Sequence, residues 1–384
     1  MTYLVYPGAE HTRFQHSLGV MHLSSAIFDE VAGKGDLVAK WGDEEIKRCR
    51  QLIRLYGLLH DLGHAPFSHA AEKDDPEENL FSSDLDHEQY SRRIIQETKI
   101  SKLVEQTGVS TRDLIGLMSG TAPDPHFRLL RQVMNSELDV DKIDYLLRDS
   151  LFCGVAYGLF DLPRLLSSLT VYTRGTSSRL ALDEGGLQVA EAFVLARYYM
   201  FTQVYFHRTR RLFDYMIRKF ILDLLGGGKL PVDIDQFLAW DDIRVDRELW
   251  ERAGGRRRNH WAHAITARKL MKRIYESGTH AGELELQRLR WTSLRLKEKG
   301  FSPTQVFVDG AYKLPHKFPR NMKDDPDAVN ILTRRGKAVA ITERSELVRK
   351  LTEPINILRV YAARAFEKRV EKVIEEVRRI ASGS

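Results

Sequence analysis

The stretch Leu58–His69, LLHDLGHAPFSH, crowds three histidines and an aspartate among apolar and very small residues. Leu58 and Leu59 finish an apolar run at helical spacing that begins near Cys49. Gly63 ends it and Pro66 keeps it from resuming, so His60, Asp61 and His64 fall on the last turn and just past it. A lone His-Asp pair at a helix end is an ordinary cap and a surface imidazole. Imidazole and carboxylate are also ligands that suit Zn, Mn, Fe or Ni better than Ca, and a metal site needs more ligands than this one turn holds.

Candidates lie in two other parts of the chain. Upstream, HTRFQHSLGVMH (11–22) sets His16 on a helix expected over 13–31, next to Arg13. Downstream, ELDVDKIDYLLRD (137–149) steps Asp141, Tyr145 and Asp149 four residues apart along one side of a helix expected over 136–149, with Val140, Ile143 and Leu147 left for the core. Helical proteins build metal sites from ligands on several helices that converge at the bundle centre. His16, His60, Asp61 and Asp141 form such a set and leave coordination positions open for water and substrate.

Around these words the chain reads as mainly α. No Gly or Pro interrupts 188–225, which predicts one long helix or two in tandem, stopped by Gly226, Gly227 and Gly228. Residues 168–186 alternate around a Gly/Ser turn and predict a short β-hairpin. Helices are expected over 241–253 and 260–276, strands at 304–309 and in a hairpin over 329–342 turning at Arg335-Gly336, and a charged helix from about Leu347 onward. The acidic, turn-rich stretch 74–88 is expected as a mobile loop. This divides the chain into a helical core, residues 1–228, and a smaller α/β subdomain, residues 229–384.

Charge follows the same division. Residues 1–250 hold 29 Lys and Arg against 37 Asp and Glu, while residues 251–384 hold 30 against 16, so the overall charge of +6 is carried C-terminally. A positive lobe attracts polyanions, although charge runs are commonly just solvated. Cys49 and Cys153 are too few for a disulfide framework and are expected as reduced, buried thiols. No apolar run reaches membrane-spanning length and no secretory leader is legible, which predicts a cytoplasmic protein without membrane contact.

The ordered words RFQHSLGV, HDLGHAPFSH, HE (87–88) and DVDKIDYLLRD resemble the HD-domain phosphohydrolases. Within them the sequence is most similar to the deoxynucleotide triphosphohydrolases, the group of the SAM-and-HD-domain dNTPase and bacterial dGTPase-like enzymes, without a SAM domain. The likeness runs from Tyr3 to Arg211 and returns faintly at LVRKLTEPINILRVY (347–361). It implies an HD-domain helical core with a hairpin and a smaller α/β C-terminal subdomain.

The resemblance also assigns roles. The family's metal ligands fall on His16, His60, Asp61 and Asp141. Its catalytic histidines fall on His64, His69 and His87, with Glu72 where a carboxylate would orient His69. Arg13, Lys142 and Arg197 match triphosphate contacts, Tyr145 and Asp149 the pair that holds the sugar and its 3′-hydroxyl, and Tyr205 a wall near the 2′ position that would exclude a ribose hydroxyl. In the family a Gln-Leu pair that contacts base and sugar precedes the segment TYLVYPGAEH. Here Met1 stands at that boundary, so the family's N-terminal segment, and with it part of base recognition and oligomer contact, is expected to be missing.

The activity implied is hydrolysis of a dNTP to deoxynucleoside and inorganic triphosphate with a divalent metal ion as cofactor, one of Mn, Fe, Zn, Ni or Mg. The alternatives are an HD-type phosphatase or phosphodiesterase acting on another nucleotide, and a nucleic-acid-binding regulatory protein that works through its basic lobe. The partners implied are a nucleotide substrate, a nucleotide effector, weakly bound nucleic acid at the basic lobe, and further copies of the chain in a dimer or tetramer under allosteric control.

Overall fold

The computed structural model describes the chain apart from residues 35–36, 73–77, 83–84, 122, 175–176, 257, 321–324, 326–327 and 383–384, and apart from the side chains of His69, Arg174 and Ser382. Helix α1 (Arg13–Lys34) buries Val20, Leu23, Ile27, Phe28 and Val31 along one stripe, the spacing expected of a core-facing helix. It packs along α2 (Asp43–Leu59), whose Cys49, Leu52, Ile53 and Tyr56 are its counterpart. Helix α3 (His87–Glu97) opens with a capping box formed by Asp86 and Gln89, and α4 (Phe127–Asn135) and α5 (Val140–Cys153) complete the bundle. Gly19 of α1 faces α5. A Cβ there would lie 1.9 Å from Asp144 Oδ1 and 2.3 Å from Arg148 Nη2, side-chain atoms of α5, so glycine leaves the room that this ion pair occupies.

The expected hairpin forms from β1 (Leu169–Arg174) and β2 (Ser177–Asp183), with Val171 opposite Leu180. The long apolar run divides into α6 (Leu187–Met200), a five-residue π turn over Phe201–Tyr205, and α7 (Arg208–Leu224). After these come β3 (Lys272–Glu276), α8 (Glu283–Glu298), β4 (Val306–Lys313), β5 (Asn330–Leu332), β6 (Ala338–Ala340), β7 (Ile355–Ala362) and α9 (Glu367–Ser382). The hairpin β5–β6 turns at Gly336 (φ 72°) and adds β5 in parallel to β2, giving one sheet in the order β1-β2-β5-β6. The second sheet runs β3-β7-β4, all antiparallel. One of its faces meets α8 and α9 through Leu296, Val360, Val370 and Val373. The other stacks Tyr361 and Phe307 on Tyr215 of α7, with Phe307 and Tyr215 ring centroids 3.9 Å apart.

Several expectations need correction. The charged helix from Leu347 is a short helix (Glu346–Lys350), then β7, then α9. All eight residues of β7 are buried, so the run INILRVYA carries no alternation that would betray a strand. The helix over 260–276 stops at Thr266, and 272–276 is the edge strand β3. The strand at 304–309 runs on to Lys313, and α8 is an element the sequence reading did not assign. In the stretch 74–88, six residues lie outside the described ones. Leu80 and Phe81 lie in no helix or strand, as expected, but are buried beside Tyr90, whereas His87 and Glu88 already belong to α3. Cys49 is buried but Cys153 only half so, and both are free thiols. Among the described residues no helix is long and apolar enough to cross a membrane.

Candidate metal and phosphate site

Helix α2 ends at Leu59, and His60 caps it with its Nδ1 2.9 Å from the Gly57 carbonyl. A carbonyl can only accept, so Nδ1 carries the hydrogen and Nε2 is left with a lone pair. That Nε2 is buried without a hydrogen-bond partner, 3.3 Å from Asp61 Oδ1 and 3.7 Å from Asp141 Oδ1. His16 repeats the arrangement from α1. Its Nδ1 donates to Asp144 Oδ2 at 2.7 Å, which turns Nε2 toward Asp141 Oδ1 at 3.0 Å and Asp61 Oδ2 at 3.7 Å. Three regions of the chain thus bring His16, His60, Asp61 and Asp141 together, with both imidazoles oriented by a neighbour on the far side of the ring. A histidine that ligates a metal is held in this way.

The electrostatics favour a cation. Burial opposes the charge on Asp61, but His60, His64 and Arg13 together hold its carboxyl well below the usual range. Asp141 is likewise kept ionised, against burial, by His16 and His60. The His16 imidazole is disfavoured as a cation by burial, yet its hydrogen bonds to Asp141 and Asp144 push it up to about 10. The same carboxylates that attract this proton would attract a metal ion in its place.

A second cluster adjoins the first. The His64 Nε2 lies 3.4 Å from Asp61 Oδ1, and its ring stacks on that of His87, centroids 4.2 Å apart. Glu72 stands 3.0 Å from His87 Nδ1 and 3.4 Å from His64 Nδ1. Burial pulls His64 below its ordinary value, whereas Glu72 raises His87 against burial. The two rings are thus pushed in opposite directions, as in an acid–base pair. The expected pairing of Glu72 with the His69 side chain lies outside the described residues. Gly63 seats the cluster, for its Cα backs onto α3 so closely that a Cβ would sit 2.1 Å from the His87 carbonyl oxygen.

The remaining expected residues line the same cavity of about 1620 Å³. Arg13 reaches Asp61 through Nη1 and Ser68 Oγ through Nε at 2.8 Å. Lys142 bonds Asp139 and the Ser136 carbonyl. Arg197, 3% exposed, donates to the Pro315 carbonyl and stands 3.7 Å from Glu137. Tyr145 and Tyr205 meet edge to face at 6.0 Å, and the Tyr205 hydroxyl donates to Asp149 Oδ2 at 2.7 Å.

Two residues of the arrangement went unread in the sequence. Asp144 orients His16, and His11 Nε2 holds the other Asp149 oxygen at 2.7 Å. Asp144 lies three residues after Asp141 and so on a neighbouring face of α5, a signal that spacing carries. His11 precedes α1 and has no periodicity to reveal it.

The family model described as "HD domain" matches residues 13–149, and that described as "HD associated region" matches residues 160–383. A protein of Methanocaldococcus jannaschii, MJ1154, is 32% identical over 273 residues, covering 69% of this chain and 52% of that protein, so the chain spans about half its length. A Dictyostelium discoideum protein named deoxynucleoside triphosphate triphosphohydrolase SAMHD1 homolog is 27% identical over 258 residues, 64% of this chain and 44% of that protein. The crystal structure of a hypothetical protein from Aquifex aeolicus superposes with a TM-score of 0.75 at 31% identity, over 97% of this chain and 89% of that one.

Proposed function

The chain belongs to the HD-domain phosphohydrolase family, and from that premise we propose that it is a metal-dependent hydrolase of deoxynucleoside triphosphates that releases deoxynucleoside and inorganic triphosphate. The observation that carries the reading is the convergence of the His16 and His60 Nε2 atoms with the Asp61 and Asp141 carboxylates, where His16, Asp61 and Asp141 line a cavity that also holds Arg13, Lys142 and Arg197. His16, His60, Asp61 and Asp141 would hold the metal, and this donor set suits Mn, Fe, Ni or Zn. Bound there, a divalent cation supplies Lewis acidity toward a phosphate oxygen.

The chain's own groups do the rest. Arg13, Lys142 and Arg197 neutralise the triphosphate, and in a partly dry cavity such charges count for more than in water. His64, His69 and His87 form the proton-transfer group. Of the two whose side chains are described, His87 is the one that keeps its proton through Glu72 and can pass it to the departing 5′-oxygen. Asp149, fixed from both sides by His11 and Tyr205, accepts from the sugar 3′-hydroxyl, and Tyr205 fills the space beside the 2′ carbon.

The test is incubation of the purified chain with each dNTP and a panel of divalent metals, with nucleoside and triphosphate quantified separately. Deoxynucleoside and tripolyphosphate in equal amounts are expected. Monophosphate with pyrophosphate, or hydrolysis of a different nucleotide alone, would overturn the reaction in favour of another HD-type phosphoesterase.

Two further outcomes follow from the geometry. Asp144→Ala removes the acceptor of His16 Nδ1–H and should weaken metal affinity by about 10- to 100-fold. Unchanged affinity in a calorimetric titration would take Asp144 out of the site. Because His16 binds its proton up to about pH 10, a metal must displace that proton, so affinity should rise with pH, roughly tenfold per unit for each proton released. Titrations at pH 6, 7 and 8 measure this, and a flat profile would contradict it.

A further inference from the structure

Lys313 ends β4, the strand that carries the C-terminal sheet to the cavity wall. Its Nζ lies 5.3 Å from the centre of the Phe201 ring in the π turn, and the Arg197 guanidinium lies 5.5 Å from the same centre. Two residues on, the Pro315 carbonyl accepts from Arg197, which fixes the strand end against α6. The other cations of this wall have carboxylates: Arg13 has Asp61, Lys142 has Asp139, and Arg197 has Glu137. Among the described residues Lys313 has no carboxylate at ion-pair distance. Burial first, and then Arg197, Lys317 and Lys142, lower its affinity for a proton, and Glu137 opposes them.

Charges withdrawn from water are ordinarily paired. A half-buried ammonium beside a guanidinium and a second ammonium, with one ring face for relief, is costly until an anion arrives. A cation–π contact offsets only a small part of that cost. The cost falls sharply for a ligand that carries several negative charges along its length, since one such ligand can face Lys142, Arg197 and Lys313 together.

We propose that Lys313 is a further polyphosphate-binding residue, so that the phosphate wall of the cavity is composite, with α1, α5 and α6 supplying Arg13, Lys142 and Arg197 and the C-terminal sheet supplying Lys313. This rests on the reading of the cavity as a triphosphate site, and it deepens that reading by naming a specificity-determining group from outside the HD-domain match.

The probe is inorganic tripolyphosphate, titrated calorimetrically into the full chain and into Lys313→Met and Lys313→Arg, with orthophosphate as comparison. Lys313→Met should bind tripolyphosphate at least about tenfold more weakly, with a much smaller change for orthophosphate, and Lys313→Arg should keep most of the affinity. Circular dichroism and the melting temperature establish that each variant is folded. Equal tripolyphosphate affinity in Lys313→Met and the wild type, or no tripolyphosphate binding by the wild type, would overturn the assignment. Tripolyphosphate binding that depends on Lys313 in a protein that hydrolyses no dNTP would instead leave this subsite standing and remove the proposed reaction. Hydrolysis of dNTPs with tripolyphosphate binding indifferent to Lys313→Met would do the reverse.

Discussion

Asp141→Ala should lower phosphohydrolase turnover by at least about a thousandfold while the helical fold remains. Loss of one preorganised electrostatic group in an active site already costs about 10²–10³ in rate. Asp141 is more central than that, because one of its oxygens faces both imidazoles, at 3.0 Å from His16 Nε2 and 3.7 Å from His60 Nε2. The fold should survive because the neighbours of Asp141 on α5, Val140 and Ile143, are the ones packed into the core. His60→Ala should act in the same direction. Turnover, bound metal and the far-ultraviolet dichroism spectrum need to be measured on one preparation. Wild-type turnover in a folded, metal-loaded Asp141→Ala protein would end the case for this site.

Gly63→Ala should be strongly damaging, destabilising by about 3 kcal/mol or more. Overpacking a core commonly costs about 1–3 kcal/mol, and here the added carbon would sit 2.1 Å from the His87 carbonyl oxygen and 2.4 Å from the Ser91 amide nitrogen. Those are backbone atoms of α3, so a rotamer change cannot relieve the clash. Either α3 or the His60–His64 turn has to shift, and both carry the rings proposed for proton transfer. The measurement is denaturant unfolding with activity on the same samples. Gly33→Ala, in α1 with open space around it, is the control and should be neutral or mildly stabilising. Equal stability of the two variants would mean that the turn and α3 are not locked together.

The convergence of the candidate site's residues was largely legible because they are compact in sequence. His60 and Asp61 are adjacent, His16 and Asp141 each sit in a word of fixed spacing, and helical periodicity says which way each word faces. Asp144 was hidden by the same regularity, since the four-residue step through Asp141, Tyr145 and Asp149 passes over it. His11 stands before its helix begins and owes its place to Asp149, 138 residues away, which local sequence cannot express.

In the fold, the hairpins were readable from turn chemistry and alternation, and the C-terminal strands were not. A strand buried on both faces and flanked by charged helices gives the same apolar run as a buried helical segment. The run INILRVYA becomes a strand because β3 and β4 pair with it from either side, and the paired residues lie 42 to 90 positions upstream, from Lys313 against Ile355 to Lys272 against Ala362.

The π turn at Phe201–Tyr205 separates Arg197 from Tyr205 by a wider coil than the helices on either side. Each residue advances an α-helix by about 100°, so the loss of a single codon in this turn would change where Tyr205 stands relative to Arg197, whereas α7 starts afresh after the non-helical His207. Replacement of any one side chain in the turn leaves that relation untouched. Over evolution, then, the proposed sugar wall of this pocket is more open to recasting by an insertion or deletion than by point substitution, and relatives in which the wall has been rebuilt are best sought among sequences whose length differs between Met200 and Arg208.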